Sequence, residues 1–181
     1  MILKIIVVII ALVSVALVIA MFSKNKYTLR REITINRPRQ EVFAYVSLLK
    51  NQKAYNKWLS LDPDTRIDFK GAPDGTPGAI LTFDSKDKRA GKGEWKLTEV
   101  SEGKRLGFEL HFLASDFTAN GHLDFSDAGT GQTKLVWVYN SGMKWPVNFV
   151  LLFLDMDKII GTDIAESLGN LKRNLEAASV N

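Results

Sequence analysis

His111 and His122 are the only imidazoles in these 181 residues, and there is no cysteine. The lack of cysteine excludes a disulfide framework, a thiolate metal site and a thiol nucleophile. No set of His, Asp and Glu has metal-ligand spacing, so no metal is expected. The glycines at 71, 75 and 78, and the Gly91-Lys92-Gly93 pair, lack the Gly-Lys-Ser/Thr ending of a phosphate loop and read as turns. No Gly-x-Ser-x-Gly elbow offers a hydrolase nucleophile. No catalytic residue and no cofactor is therefore assigned. What remains is a set of large apolar side chains at regular spacing, and their chemistry is the burial of apolar surface.

Their spacing places them on elements. Leu106, Phe108, Leu110 and Phe112 share one face of a strand over 104–113, with Arg105, Glu109 and His111 on the other. Ala119, Gly121, Leu123 and Phe125 oppose Thr118, Asn120, His122 and Asp124 over 117–125. Leu135, Trp137 and Tyr139 form the apolar face of a strand over 133–141. Phe83 belongs to a strand over 79–85, and Trp95 and Leu97 to one over 91–100. From Pro146 to about Ala177 the spacing predicts one long helix, with Phe149, Phe153, Met156, Ile160, Ile164, Leu168, Leu171 and Leu175 in a single stripe.

If the apolar sheet face packs on that helix, both histidines and Glu109 point to solvent. The candidate ligand-binding set is then Phe83, Trp95, Leu97, Phe108, Leu110, Phe112, Leu123, Trp137 and Tyr139, joined by Phe149, Phe153, Met156 and Ile160 from the helix. Two readings of this set stay open: a filled core, or the lining of a ligand-sized cavity. Tyr139 is the one inward hydroxyl identified, placed to orient a ligand or to bond the backbone. Trp145–Leu154 is unusually apolar for the start of an amphipathic helix. It reads either as a broad buried face or as a lip at the cavity mouth that touches a bilayer.

The remaining elements complete the order. Tyr27–Ile35 alternates as a strand, with Leu29, Arg31, Ile33 and Ile35 on one side. Asn36-Arg37-Pro38 opens a helix to about Leu49, and a second short helix covers 50–58. Arg66–Phe69 is a short strand. Strand, two short helices, six strands and a long helix predict an α+β domain in which a curved antiparallel sheet wraps around the last helix.

Ile5–Phe22 is an apolar run broken only by Ser14. As a helix it reaches about 27 Å, close to the ~30 Å hydrocarbon core. An uncleaved single-pass anchor over 1–24 and a cleaved signal, for which Val18 and Ala20 could supply the site, are the competing readings. Lys24, Lys26, Arg30 and Arg31 follow the run and only Lys4 precedes it, which favours a cytoplasmic domain over 25–181. The net charge of +4 is small and interspersed with acids. It does not describe a nucleic-acid surface, so no nucleic-acid partner is expected. Nothing in the sequence sets the oligomeric state.

Glu32-Ile-Thr-Ile-Asn-Arg-Pro-Arg-Gln-Glu-Val-Phe-Ala-Tyr-Val46, followed by Asn51…Trp58, resembles the opening of the START-like, polyketide cyclase/dehydrase family of the SRPBCC superfamily. Thr133-Lys-Leu-Val-Trp137 and Leu168…Leu171-Lys-Arg-Asn-Leu-Glu176 resemble its last strand and the end of its C-terminal helix. The resemblance covers about Tyr27 to Ala178. It implies the helix-grip (Bet v 1/START-like) fold with an apolar cavity between sheet and helix. It also implies binding of a hydrophobic small molecule or lipid, ubiquinone-like and acyl ligands both being compatible. A polyketide cyclase or dehydratase activity and a chaperone-cofactor-like protein-interaction role remain the alternatives.

Overall fold

The computed structural model describes residues 1–113 and 117–177; Ala178 and the last residues of the expected 25–181 domain lie outside this range. Helix α1 (Ile2–Phe22) leads into strand β1 (Lys26–Ile35), helix α2 (Arg39–Ser47) and helix α3 (Gln52–Tyr55). Strands β2 (Arg66–Gly71), β3 (Ala79–Asp84), β4 (Lys92–Ser101), β5 (Arg105–Phe112), β6 (Phe117–Gly129) and β7 (Gln132–Gly142) follow, and helix α4 (Thr162–Ala177) closes the chain. All seven strands form one antiparallel sheet in the order β1-β7-β6-β5-β4-β3-β2. The expected strand order holds throughout. The second short helix, expected over 50–58, is divided into a 3-10 turn at Leu49–Asn51, α3, and a further turn at Trp58–Ser60.

Side-chain alternation decides which face is inner. Leu29, Leu81, Phe83, Trp95, Leu97, Leu106, Phe108, Leu110, Leu123, Leu135, Trp137 and Tyr139 are buried with Ile164, Leu168, Leu171 and Leu175 of α4 in one core. The helix-grip arrangement is thus present, with the sheet's apolar face on α4. Two inner-face glycines make room for aromatic rings. A β-carbon at Gly121 would collide with the Val138 carbonyl and the Phe108 ring, and one at Gly93 with the His111 carbonyl and the Phe83 ring.

The long helix expected from Pro146 is interrupted. Residues Val147–Leu152 form a 3-10 turn, Asp157–Gly161 a wider π-helical turn, and only then does α4 begin. Asp155 explains the break. Its carboxylate accepts from the Lys158 amide at 3.2 Å, capping a new turn in place of continuing the old one. The apolar stripe over 149–160 therefore does not belong to one continuous rod.

Helix α1 stands apart from the core. Ala20 is its only buried residue, and it touches the rest of the chain through the 147–152 turn. A chain starting at residue 25 should fold alone, since a domain of this size buries roughly 68–70 % of its unfolded surface. Cooperative urea unfolding of that fragment checks this. A molten product would make α1 part of the core.

Candidate functional site

The strand registers fix which end of the sheet is which. Lys26, directly after α1, pairs with Gly142 at the end of β7. Asn120 pairs with Asn140, so Phe117 at the start of β6 lies toward the same edge. Phe112 pairs with Phe117, and Gly93 with Phe112. The end of the sheet nearest α1 is thus rimmed by Phe112 and Phe117.

An apolar pocket of about 320 Å³ opens at that end. The sheet supplies Leu110 and Phe112 from β5, Phe117 from β6 and Tyr139 from β7. Ile159 and Ile160 of the π-helical turn form the opposite wall, and Trp58, Arg89 and Asp163 complete it. The volume falls within the range of small-molecule sites. A larger groove of about 520 Å³ lies along the start of β1 and the end of β7, but Asn25, Lys26, Thr28, Asn120 and Asn140 line it. Its wall carries more polar surface than that of the smaller pocket, where apolar side chains dominate and little polar surface has to lose water on binding, so the smaller pocket is the candidate site.

Each wall has a cause. Phe112 is held edge-on by Phe83 at 6.1 Å and lies 5.8 Å from Phe117. Trp58 follows a buried polar knot in which Asn56 donates to Gln52 Oε1 at 2.8 Å and accepts from the Trp58 amide at 3.2 Å. The Lys57 amide donates to Ser167 Oγ at 2.9 Å, tying this corner to α4. The π-helical turn is latched by Arg31, an inward-facing residue of β1. Its guanidinium donates to the Asp157 carboxylate at 2.9 Å and to the Asp157 carbonyl at 3.2 Å. Gly161 gives that guanidinium its space, because a β-carbon there would strike it.

The hydrogen bond from Arg31 holds the Asp157 carboxyl below its ordinary value of 3.8. The latch is therefore intact above that value and is lost as pH falls through the lowered one. Asp157→Asn should mimic the acid state, with faster amide exchange confined to 157–161 by mass spectrometry. Unchanged exchange there would show that packing alone holds the turn.

Of the sequence-derived set, Leu110, Phe112, Tyr139 and Ile160 line this pocket. Phe83, Trp95, Leu97, Phe108, Leu123 and Trp137 sit behind it in the core. Trp95 stacks on Phe108 at 4.5 Å, and Trp137 meets both edge-on at 5.8 and 6.2 Å. Phe149 and Phe153 pair with each other at 5.2 Å, away from the pocket, and Met156 is half-buried between the two turns without lining it. The continuous stripe that placed these three on the inner face ends at Asp155. Trp58, Arg89, Phe117, Ile159 and Asp163 line the pocket without belonging to that set. Phe117 has the inward parity of Ala119 and Gly121, which was the available signal.

Tyr139 is not alone, because Tyr27 and Ser141 share its side of the sheet at the same end. Burial first, and then Tyr27, push the Tyr139 hydroxyl well above the usual phenol value, with Ser141 opposing. It is a neutral hydrogen-bonding group and not a base. His122 lies on the outer face beside Asp124, at 3.4 Å, where Arg105 holds that carboxylate. Among the described residues, no group of three or more His, Asp or Glu could hold a metal.

Similar folds occur in known structures. The chain superposes on a truncated norcoclaurine synthase from Thalictrum flavum with TM-score 0.63 and 11 % identity, covering 84 % of this chain and 95 % of that one. The Aha1 dimer from Colwellia psychrerythraea gives 0.59 at 16 % identity, over 83 % and 96 % of the two chains. Major latex-like protein 151 from Panax ginseng gives 0.59 at 12 % identity, over 87 % and 100 %. At such identities the likeness concerns the fold. No curated protein sequence matches the chain significantly. The family model described as polyketide cyclase/dehydrase and lipid transport matches residues 26–176, and with its strand order and helix grip the chain belongs to that family.

Proposed function

We propose that this chain binds a hydrophobic small molecule or lipid in the pocket between sheet and π-helical turn, while α1 tethers it to a membrane. The observation that carries this reading is the coincidence of the apolar pocket with the α1 end of the sheet. A molecule leaving a bilayer would meet the pocket there without crossing the width of the domain. Apolar burial supplies the affinity, and Tyr139, with Arg89 and Asp163, orients any polar end. Family membership supports ligand binding, and α1 is long and apolar enough to cross a membrane. Retention of α1 is supported by Ala20, which packs under Asn148 and would be lost with a cleaved signal. Lys24 and Lys26 after the run favour a cytoplasmic domain.

The full-length protein should stay in the membrane fraction through a high-salt wash, because salt screens Lys24–Arg31 but leaves insertion intact. Release by salt would remove the anchor from the account. A cyclase- or dehydratase-like reading has one foothold, the Asp163 carboxylate in the pocket wall. Asp163→Asn should leave binding of an apolar probe unchanged; an activity abolished by that change, with binding intact, would favour the enzyme.

A further inference from the structure

Between β7 and the π-helical turn lies a ten-residue stretch, 145–154, without a charged side chain. Most of its large side chains are turned outward, while Phe149 and Leu151 are half-buried. Trp145, Val147, Leu152 and Leu154 are exposed, and Phe153 is 73 % exposed. Asn148, the only polar side chain of the stretch, faces the other way. It is 2 % exposed and donates to the Ala20 carbonyl at 2.7 Å. A soluble protein would more readily show the reverse arrangement, with the amide in water and Phe153 inside.

The attachment to α1 sets the depth of this stretch. The Trp145 indole donates to the Leu17 carbonyl at 3.3 Å, and Leu17 lies five residues before the end of α1 at Phe22. At 1.5 Å per residue that is roughly 7 Å inside the apolar run. If α1 spans a bilayer, the 145–154 stretch has to lie beside its last turns, at the depth where amphipathic tryptophans concentrate.

We propose that residues 145–154 form a membrane-embedded lip whose partner is the lipid bilayer, and that the lip holds the pocket mouth against the acyl chains. Ile159 and Ile160 of the pocket wall follow the lip after the four residues Asp155, Met156, Asp157 and Lys158. The ligand class this implies is an amphiphile resident in the bilayer, entering tail-first from the lipid phase. The inference rests on the binding function proposed above.

The chain has no cysteine, so single cysteines introduced at will can be spin-labelled in the full-length protein. Phe153→Cys, Val13→Cys within α1 and Thr130→Cys in the β6–β7 turn are to be labelled and reconstituted in phosphatidylcholine vesicles. Collision with oxygen, which concentrates in lipid, is compared with collision with a water-soluble nickel chelate. The label at 153 is expected to resemble that at 13, oxygen-favoured by several-fold, while the label at 130 is chelate-favoured. A label at 153 as open to the chelate as that at 130 would overturn the lip. So would one shielded from both reagents and broadened by a neighbouring spin, since a second copy would then cover the patch. Binding of an apolar fluorescent probe in the same vesicles separates the two claims. Binding without lipid exposure at 153 defeats the lip alone, and lipid exposure without binding defeats the pocket alone.

Discussion

Phe108→Ala is expected to cost about 3–5 kcal/mol of folding stability, the usual range for truncating a buried aromatic, and to leave binding of an apolar probe unchanged. Phe108 is 1 % exposed, stacked on Trp95 and met edge-on by Trp137, and its ring occupies the space left by Gly121. None of these contacts is shared with the pocket, whose nearest sheet residues, Leu110 and Phe112, lie one and two inward positions further along β5. Removing the ring leaves a cavity in a close-packed centre, which surrounding side chains fill only in part. Urea denaturation of residues 25–181 measures the cost. A loss below about 1 kcal/mol accompanied by a changed ligand-size preference would mean that the pocket reaches to Phe108, beyond the range expected for a packed aromatic.

Ile160→Asp should have the opposite profile, with little effect on folding and a loss of probe affinity greater than about tenfold. Ile160 is half-buried on the π-helical turn, so a carboxylate there stays hydrated in the unliganded protein. A bound apolar molecule would strip that water away. Leaving an ionised group without its solvation costs more than the 1.4 kcal/mol that corresponds to tenfold in affinity. Ile160→Val, which removes one methylene and no apolar character, is the control and should change affinity only slightly. Equal binding by the Asp and Val variants in a probe titration would place the ligand elsewhere.

These two substitutions fall on residues that sequence patterning treats alike, as members of one inward-facing apolar set. Alternation was a reliable guide to the sheet. It located seven strands, the inner face of all but β2, and the outward placement of His122 and Glu109, because a strand's side-chain period is two wherever one face is buried. It could not divide the inner face into core and pocket. That division follows from where α4 begins. Over Ile164 to Leu175 the helix lies on the sheet and the space is filled, and beyond its N-terminus at Thr162 the space is open.

The start of α4 was itself hidden. The spacings of three and four residues from Phe149 to Leu175 fit one rod, whereas a single capping contact from Asp155 turns the chain and leaves Phe153 exposed and Phe149 paired with it away from the pocket. Arg31 was legible as an inward charge on β1, but its partner Asp157 lies 126 residues away and only the folded chain brings them together. Trp58 entered through the Asn51…Trp58 resemblance, and its placement in the pocket depends on the buried Gln52–Asn56 contact.

Native mass spectrometry of the full-length chain, released from nanodiscs made with the lipids of its own host cell, tests ligand binding most directly. The account predicts a non-covalent apolar adduct on the wild-type chain, retained in Ile160→Val and absent from Ile160→Asp. A wild-type chain found only at its bare mass, and that also fails to take up an added apolar probe, would contradict it. So would an adduct that survives Ile160→Asp undiminished.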